Sequence, residues 1–302
     1  TAPMLLLSQP RPDELADALA TGVRITVASS AFVDDVARAA DAAGRRAPVH
    51  LKVDTGMHRI GVTPAEAVDV ARAIVASDSL ELEGVWTHCA VADDPEDPFT
   101  AEQLFRYDAV LGALADAGIT VPLRHAANSA GAIAHPASRY DLVRCGIAVY
   151  GIAPSAALAE EVPLAPALRL VTAVSHVQRV PAGEGISYGL RYRPLRDTVV
   201  ATLPLGYADG VARSLPLLGQ TVLVGGQRCP MAGVITMDQL MVDCGPDSRV
   251  AVGDEAVLLG AQGDERISPD EWAARLDTIS YEIVCALGAR VERRYVDTSD
   301  QP

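Results

Sequence analysis

Residues 49–61 read VHLKVDTGMHRIG. An apolar, β-type run delivers Lys52, and the chain then turns through Asp54, Thr55 and Gly56 toward Arg59. Burying an ammonium without a partner is costly, so a lysine inside such a run calls for a reason. Lys52 is the one lysine of the chain, all other Lys-or-Arg positions being arginine. In a parallel βα barrel the C-terminal ends of the strands face the active site, and Lys52 and Arg59 occupy such an end. Read alone, the stretch is equally consistent with a surface strand end carrying ordinary charges.

Working outward from it, short β-type runs alternate with Ala-rich segments whose apolar residues recur at three and four, the pattern of βα units on a parallel sheet. The strand-like runs are MLLL (4–7), RITV (24–27), VHLKVD (49–54), LEGVWTHC (82–89), LRHAAN (123–128) and YDLVRCG (140–146). Between them, helices are expected over Asp13–Ala20, Ala31–Ala43, Pro64–Ala76 and Thr100–Ala117, mostly opened by Ser, Thr, Asp or Pro. Six such units in 153 residues match the density of a (β/α)8 barrel but fall two strands short of closure. The expected fold over 1–153 is therefore α/β, a TIM-type barrel whose first two βα units precede Thr1. The raw parallel edges of such a wall would need covering.

From residue 154 to 302 the texture changes to β-branched runs, among them LVTAVSHVQRV, DTVVATLPLG, TVLVGG, QLMVDC and EAVLLG, separated by Gly, Pro and Asp turns. This predicts a second, mainly β domain. SPDEWAARL, from Ser268, carries an N-cap and helical spacing, so the tail is mixed.

Composition narrows the function classes. A chain of 302 residues with 49% hydrophobic residues and a mean hydropathy of +0.18 can bury two cores. A net charge of -14 leaves no clustered positive charge for phosphate backbones, which argues against a nucleic-acid partner and for a small-molecule substrate. Five cysteines (Cys89, Cys145, Cys229, Cys244, Cys285) without a CxxC pair indicate neither a disulfide framework nor a zinc site. No membrane-length apolar run and no basic leader are present, and a cytoplasmic protein is expected.

Five further segments offer chemistry. RHAANSAGA (124–132) ends a strand in Asn128 and Ser129 before small residues, suited to meeting an anion with hydroxyl and backbone N–H groups, or to a plain N-cap. YDLVRCGIAVYG (140–151) places Arg144 before Gly146 and Ile147, where backbone donors are exposed or where the arginine simply pairs with a carboxylate. GISYGLRY (185–192) holds Tyr188, LPLGYADG (203–210) holds Tyr207, and MAGVITMDQLMVD (231–243) holds Met237 and Asp238. Each tyrosine taken singly reads first as a packing residue.

In this order, KVDTGMHRIG, HAANSAG, RCGIAVYG, SYG, GYADG and MDQ resemble the alanine racemases, pyridoxal phosphate enzymes of fold type III with a barrel domain followed by a β domain. The resemblance covers essentially the whole chain. It implies interconversion of L- and D-alanine by two-base proton transfer on an amino acid held by pyridoxal 5′-phosphate, with D-alanine supplied for peptidoglycan. It implies that Ser129, Gly146 and Ile147 grip the cofactor phosphate and that Arg144 donates to the pyridine nitrogen. A guanidinium does not surrender its proton, so the ring nitrogen stays unprotonated, which suppresses transamination in favour of proton exchange at Cα. His88 would link Arg144 to the catalytic tyrosine. Tyr188 would be that tyrosine, reaching into the partner's site of a homodimer, with Tyr207 beside it at the substrate entrance. Arg59 and the Met237 backbone would meet the substrate carboxylate, and Lys52, open to carbamylation, would position Arg59.

Three departures accompany the resemblance. Ala289 stands where relatives offer a phosphate-binding tyrosine, Tyr295 being six residues too far along, and Val234 stands where relatives commonly carry arginine. The family's Schiff-base lysine, with another phosphate-binding tyrosine, belongs to a barrel strand ahead of Thr1. Two other readings stay open: a noncatalytic binding or dimerisation module, and a same-fold racemase or decarboxylase acting on serine, ornithine or another amino acid.

Overall fold

The structure, a computed structural model, describes residues 2–296. Two compact units share the chain, the first formed by residues up to Val149 with Ala153–Leu164, the second by Tyr150–Ile152 with the residues from Ala165 onward.

In the first unit α1 (Leu15–Thr21), β1 (Ile25–Val27), α2 (Ser30–Ala42), β2 (Ala47–Lys52), α3 (Ala67–Ala76), β3 (Leu80–Trp86), α4 (Phe99–Asp116), β4 (Leu123–His125) and α5 (Ser129–Ala134) follow in order. The strands pair in parallel as β1-β2-β3-β4. Sequence neighbours are spatial neighbours with no reversal of order, as a barrel wall requires and a doubly wound sheet does not. Helices cover these strands, so β1 is buried throughout and β2 almost so, and such strands read as unbroken apolar runs. The amphipathic helix α2 turns Phe32, Val33, Val36 and Ala40 onto the same core as Ile25, Val49, Leu51 and Val85.

Two expected strands are not strands. MLLL contributes a single parallel bridge, Leu5 to Arg24, and YDLVRCG runs beside β4 through Asp141 N–H to Arg124 O and Arg144 N–H to Ala127 O, both 3.0 Å. Met4, Leu7, Leu142 and Val143 are exposed. With Met4, Leu7, Leu142 and Val143 left in solvent, these two runs do not have both faces covered, and neither forms a full strand of the ladder. Among the described residues the wall therefore has four strands with a flanking segment on each side.

The second unit contains β5 (Leu170–Ala173), β6 (His176–Val180), β7 (Thr198–Leu203), β8 (Thr221–Val224), β9 (Gln227–Pro230), β10 (Leu240–Gly245), β11 (Glu255–Gln262), β12 (Glu265–Ile267), α6 (Pro269–Leu276) and α7 (Ser280–Ala286). It is antiparallel, with β10-β7-β6 in one sheet and β12-β11-β8-β9 in another, β5 pairing with β11. Leu203, Val222, Leu223, Val257, Leu258 and Trp272 form its core. Ser268 caps α6 by accepting from the Glu271 N–H at 3.2 Å, and Pro269 supplies the first helical φ. Among the described residues no helix is long and apolar enough to cross a membrane.

Candidate active site

The C-terminal ends of β2, β3 and β4 bring together Lys52, Trp86, His88, His125 and Arg144. Lys52 is 2% exposed, donates to Val53 O at 3.2 Å and stands 4.7 Å from the Trp86 ring centroid; Arg144 lies over the same indole, also at 4.7 Å. Trp86 thus carries two cations, which its π faces favour. Burial, followed by the charges of Arg144 and Arg59, pushes the Lys52 ammonium down to about 7.

Arg144 is the hub. Its Nη1 donates to His125 Nδ1 at 2.7 Å, and its Nη2 reaches Thr87 O and Ala126 O at 2.8 Å and His88 Nδ1 at 3.2 Å. Its Nε is buried without a partner. Burial brings the guanidinium down to about 10, which still leaves it charged at neutral pH. Because arginine can only donate, His125 Nδ1 must accept, so His125 Nε2 carries the hydrogen and donates to His50 Nδ1 at 2.9 Å. His50 Nε2 then donates to Glu83 at 3.0 Å, and Glu83 is held by Arg24 through Nε at 2.9 Å and Nη2 at 3.0 Å. One donor-only residue fixes the tautomers of two histidines. Burial, reinforced by Arg144, holds His125 at about 2 and His88 at about 4, so both rings are neutral. Gly84 leaves room for the relay, since a Cβ there would fall 2.5 Å from His50 Nδ1.

The loop after β2 is pinned from α4. Thr55 and Thr87 share a 2.7 Å hydrogen bond, Gln103 donates to Thr55 Oγ1 and His88 O, and Arg106 donates to Thr55 O. Asp54 accepts from the Gly56 and His58 N–H groups at 3.0 Å. Burial alone would raise its carboxyl; the two N–H groups together with the His58 ring, 3.1 Å away, outweigh that and lower it. Arg59, at the end of this loop, is exposed.

Ser129 is buried, and its Oγ accepts from Gly146 N at 3.0 Å and Ala148 N at 3.3 Å, which leaves the hydroxyl hydrogen free to donate. The backbone group paired with Gly146 here is that of Ala148, while Ile147, singled out in the sequence, buries its side chain. A Cβ at Gly146 would meet nothing within 4 Å, so the space beside this backbone is open.

In the second unit the sequence candidates lie on loops. Residues 186–192 double back through the Ile186–Tyr192 bridge, with Tyr188, 73% exposed, in the bend. Positive φ at Ser187 (64°) and Leu190 (50°) strains the bend, while Gly189 (74°) takes up its positive φ without cost. Ser187 Oγ donates to Val234 O at 2.8 Å, and a Cβ at Gly233 would lie 2.5 Å from Ser187 Cβ. Val234 is buried, its backbone serving as this brace. Tyr207 and Met237, both exposed, sit on touching segments: Tyr207 N–H donates to Thr236 O and Ala208 N–H to Met237 O, each at 3.0 Å. A Cβ on Gly206 would lie 2.2 Å from Met237 O, so only glycine permits that approach. Arg290, missed in the sequence, ties both segments by pairing with Asp238 at 2.6 Å and Asp209 at 3.3 Å. Ala289 beside it is exposed.

Comparison with known proteins decides the family. Residues 1–154 match the alanine racemase N-terminal domain and residues 167–295 the alanine racemase C-terminal domain. The chain belongs to the alanine racemase family. It is 48% identical to alanine racemase of Symbiobacterium thermophilum over 295 residues, covering 98% of this chain and 78% of that protein. Alanine racemase of Bacillus anthracis with bound L-Ala-P superposes with a TM-score of 0.91 at 36% identity, over 99% of this chain and 77% of that one. Histidine racemase of Leuconostoc mesenteroides superposes with a TM-score of 0.90 at 27% identity, over 98% and 78%. The racemase fold is thus a barrel-type α/β domain followed by a β domain. Its enzymes depend on pyridoxal phosphate, and the residues here fit that group: the uncommitted Arg144 Nε suits a ring nitrogen, and the Ser129 hydroxyl beside the open Gly146 backbone suits a phosphate.

Proposed function

We propose that the protein interconverts L- and D-alanine with pyridoxal 5′-phosphate as cofactor and supplies D-alanine for peptidoglycan. The observation that carries this reading is the buried Arg144 Nε, left without a partner beside two Nη groups that each have one. The bound cofactor supplies an electron sink that acidifies the amino-acid Cα. Arg144 donates through Nε to the ring nitrogen and keeps its own proton, which limits that sink and favours return of the proton to Cα. Ser129 donates to the phosphate, with Gly146 and Ile147 as its backbone wall, and neutral His88 orients Arg144. Arg59 and the Met237 N–H take the substrate carboxylate. Tyr188 moves the proton on one face of Cα, and Tyr207 shapes the entrance. Both tyrosines are exposed, and a homodimer in which they reach the partner's site uses that exposure.

Lys52 plays a different part. With its ammonium lowered to about 7, the amine is free at neutral pH far more often than an ordinary lysine's and can add carbon dioxide, forming an N–C bond and releasing a proton. The resulting carbamate replaces a cation facing Arg59 and Arg144 with an anion. A carbamate resonance under 13C-labelled carbon dioxide, absent from Lys52→Met, is the expected result; its absence from the native protein removes this role.

The superposition with a histidine racemase keeps a second substrate class in view. The full gene-encoded protein, given pyridoxal phosphate, is to be assayed with alanine, serine, lysine and histidine by chiral chromatography. Alanine should lead in kcat/KM by roughly tenfold or more, the scale on which pocket size discriminates. A lead for a larger amino acid would sink the assignment.

A further inference from the structure

The second unit brings two of the five cysteines face to face. The chain leaving β9 runs antiparallel to β10, with Met231 bridged to Val242 and Ala232 N–H donating to Met241 O at 2.7 Å. Both pairs belong to one register, and in that register Cys229 falls opposite Cys244. Opposed residues of antiparallel strands have Cα atoms roughly 4.5–5.5 Å apart, inside the 4.4–6.8 Å that disulfides span. Cys244 also occupies the register shift of β10 against β7, between Asp243 and Gly245, so it is the extra residue without a partner in that ladder. The two sulfurs act on each other's protons: hydrogen bonding from Cys244 lowers the Cys229 thiol, and Cys244 is raised in turn. Both residues line one cavity of about 850 Å³, large enough for a small oxidant. The other three are separate, Cys89 being buried against Ala126 O and Cys145 and Cys285 exposed.

We propose that Cys229 and Cys244 are an oxidisable cross-strand dithiol, which a peroxide converts to a disulfide that staples residues 230–243, the segment carrying Met237. The Cys229 thiolate attacks a peroxide oxygen, the O–O bond breaks, and a sulfenic acid forms as the other oxygen leaves with a proton. The Cys244 sulfur then attacks the Cys229 sulfur, the S–O bond breaks, and water departs with the Cys244 proton. One peroxide is reduced by two electrons and two thiols are oxidised by two. The staple reinforces a hairpin already braced at Val234 by Ser187 and at Asp243 by the Tyr192 hydroxyl, 2.7 Å away.

The test treats the native protein with hydrogen peroxide and maps its peptides without reduction. A peptide joining Cys229 to Cys244, lost on adding dithiothreitol, is expected, with Tm raised by about 5–10 °C from loop closure. Cys244→Ala should stop at a Cys229 sulfenic acid that dimedone traps. Should that variant not fold, the native map decides alone. Both thiols remaining open to alkylation, a link through Cys89, Cys145 or Cys285, or a linked protein with unchanged Tm would each overturn the proposal. The mapping needs no turnover, so it stands or falls apart from the racemase reading.

Discussion

The two units hold their functional groups in opposite ways. In the first, Lys52, His125 and Ser129 are at most 2% exposed, and the Arg144 relay fixes each proton by hydrogen bonding. In the second, Tyr188 is 73%, Met237 54% and Tyr207 44% exposed, and the backbone beneath them is held by positive φ values, glycine close approaches, the Ser187 hydroxyl and the Arg290 clamp. The first arrangement presets charge, whereas the second presets position. A group that must set the electronics of a ring gains from a dry, satisfied surrounding. A group proposed to meet a substrate held by another chain has to stand at the surface of its own.

The sharpest way to break this contrast is Tyr188→Phe. Removing the phenolic proton should cut racemisation by roughly 10²–10⁴-fold, the usual worth of a general acid–base group. Urea unfolding should shift by less than about 0.5 kcal/mol, as for surface changes. A large stability loss with activity retained would make Tyr188 a packing residue after all.

The next effect belongs to the buried unit. The folded Lys52 ammonium sits at about 7, well below its ordinary 10.5. Between these values the unfolded chain binds more protons than the folded one, so stability rises with pH through that window; below it the full burial cost remains. Lys52→Met should abolish the slope and stabilise the protein at neutral pH by up to about 4 kcal/mol in buffer free of carbon dioxide. Equal slopes for native protein and variant between about pH 7 and pH 10 would show that Lys52 reaches water. The smallest effect is that of Arg290→Gln, which unpairs Asp209 and Asp238 and loosens the Tyr207 and Met237 segments. A rise in alanine KM of roughly two- to fivefold, with kcat little changed, is expected from a half-exposed clamp; a fall in kcat alone would place Arg290 elsewhere in the reaction.

The sequence announces what depends on contiguous residues. The βα alternation locates the four strands of the wall, and the strand-end motifs locate Lys52, His88, Ser129 and Arg144 within one neighbourhood. It misleads at MLLL and YDLVRCG, because apolar letters do not reveal which runs have their faces covered, and both of these leave apolar side chains in solvent. The relay of Arg24, Glu83, His50 and His125 is silent because its members come from four separate strands or their edges and none forms a motif with another. Arg290 stands in CALGARVERRY (285–295), yet its significance comes only from Asp209 and Asp238, which the fold carries to it. The face-to-face cysteines are invisible for the same reason: β9 and β10 must be laid in register before residues 229 and 244 oppose each other.

Trp86 gives the buried unit a voice of its own. Its indole has two cationic groups within 4.7 Å, one of them Lys52 with its ammonium lowered to about 7, and the protein's second tryptophan, Trp272, is sealed in the other unit's core. The transition energy of an indole shifts with the electric field across it, so the colour of this protein's emission is a gauge of the Lys52 charge. The residue that seats the two cations is also the instrument by which their balance can be watched without a label.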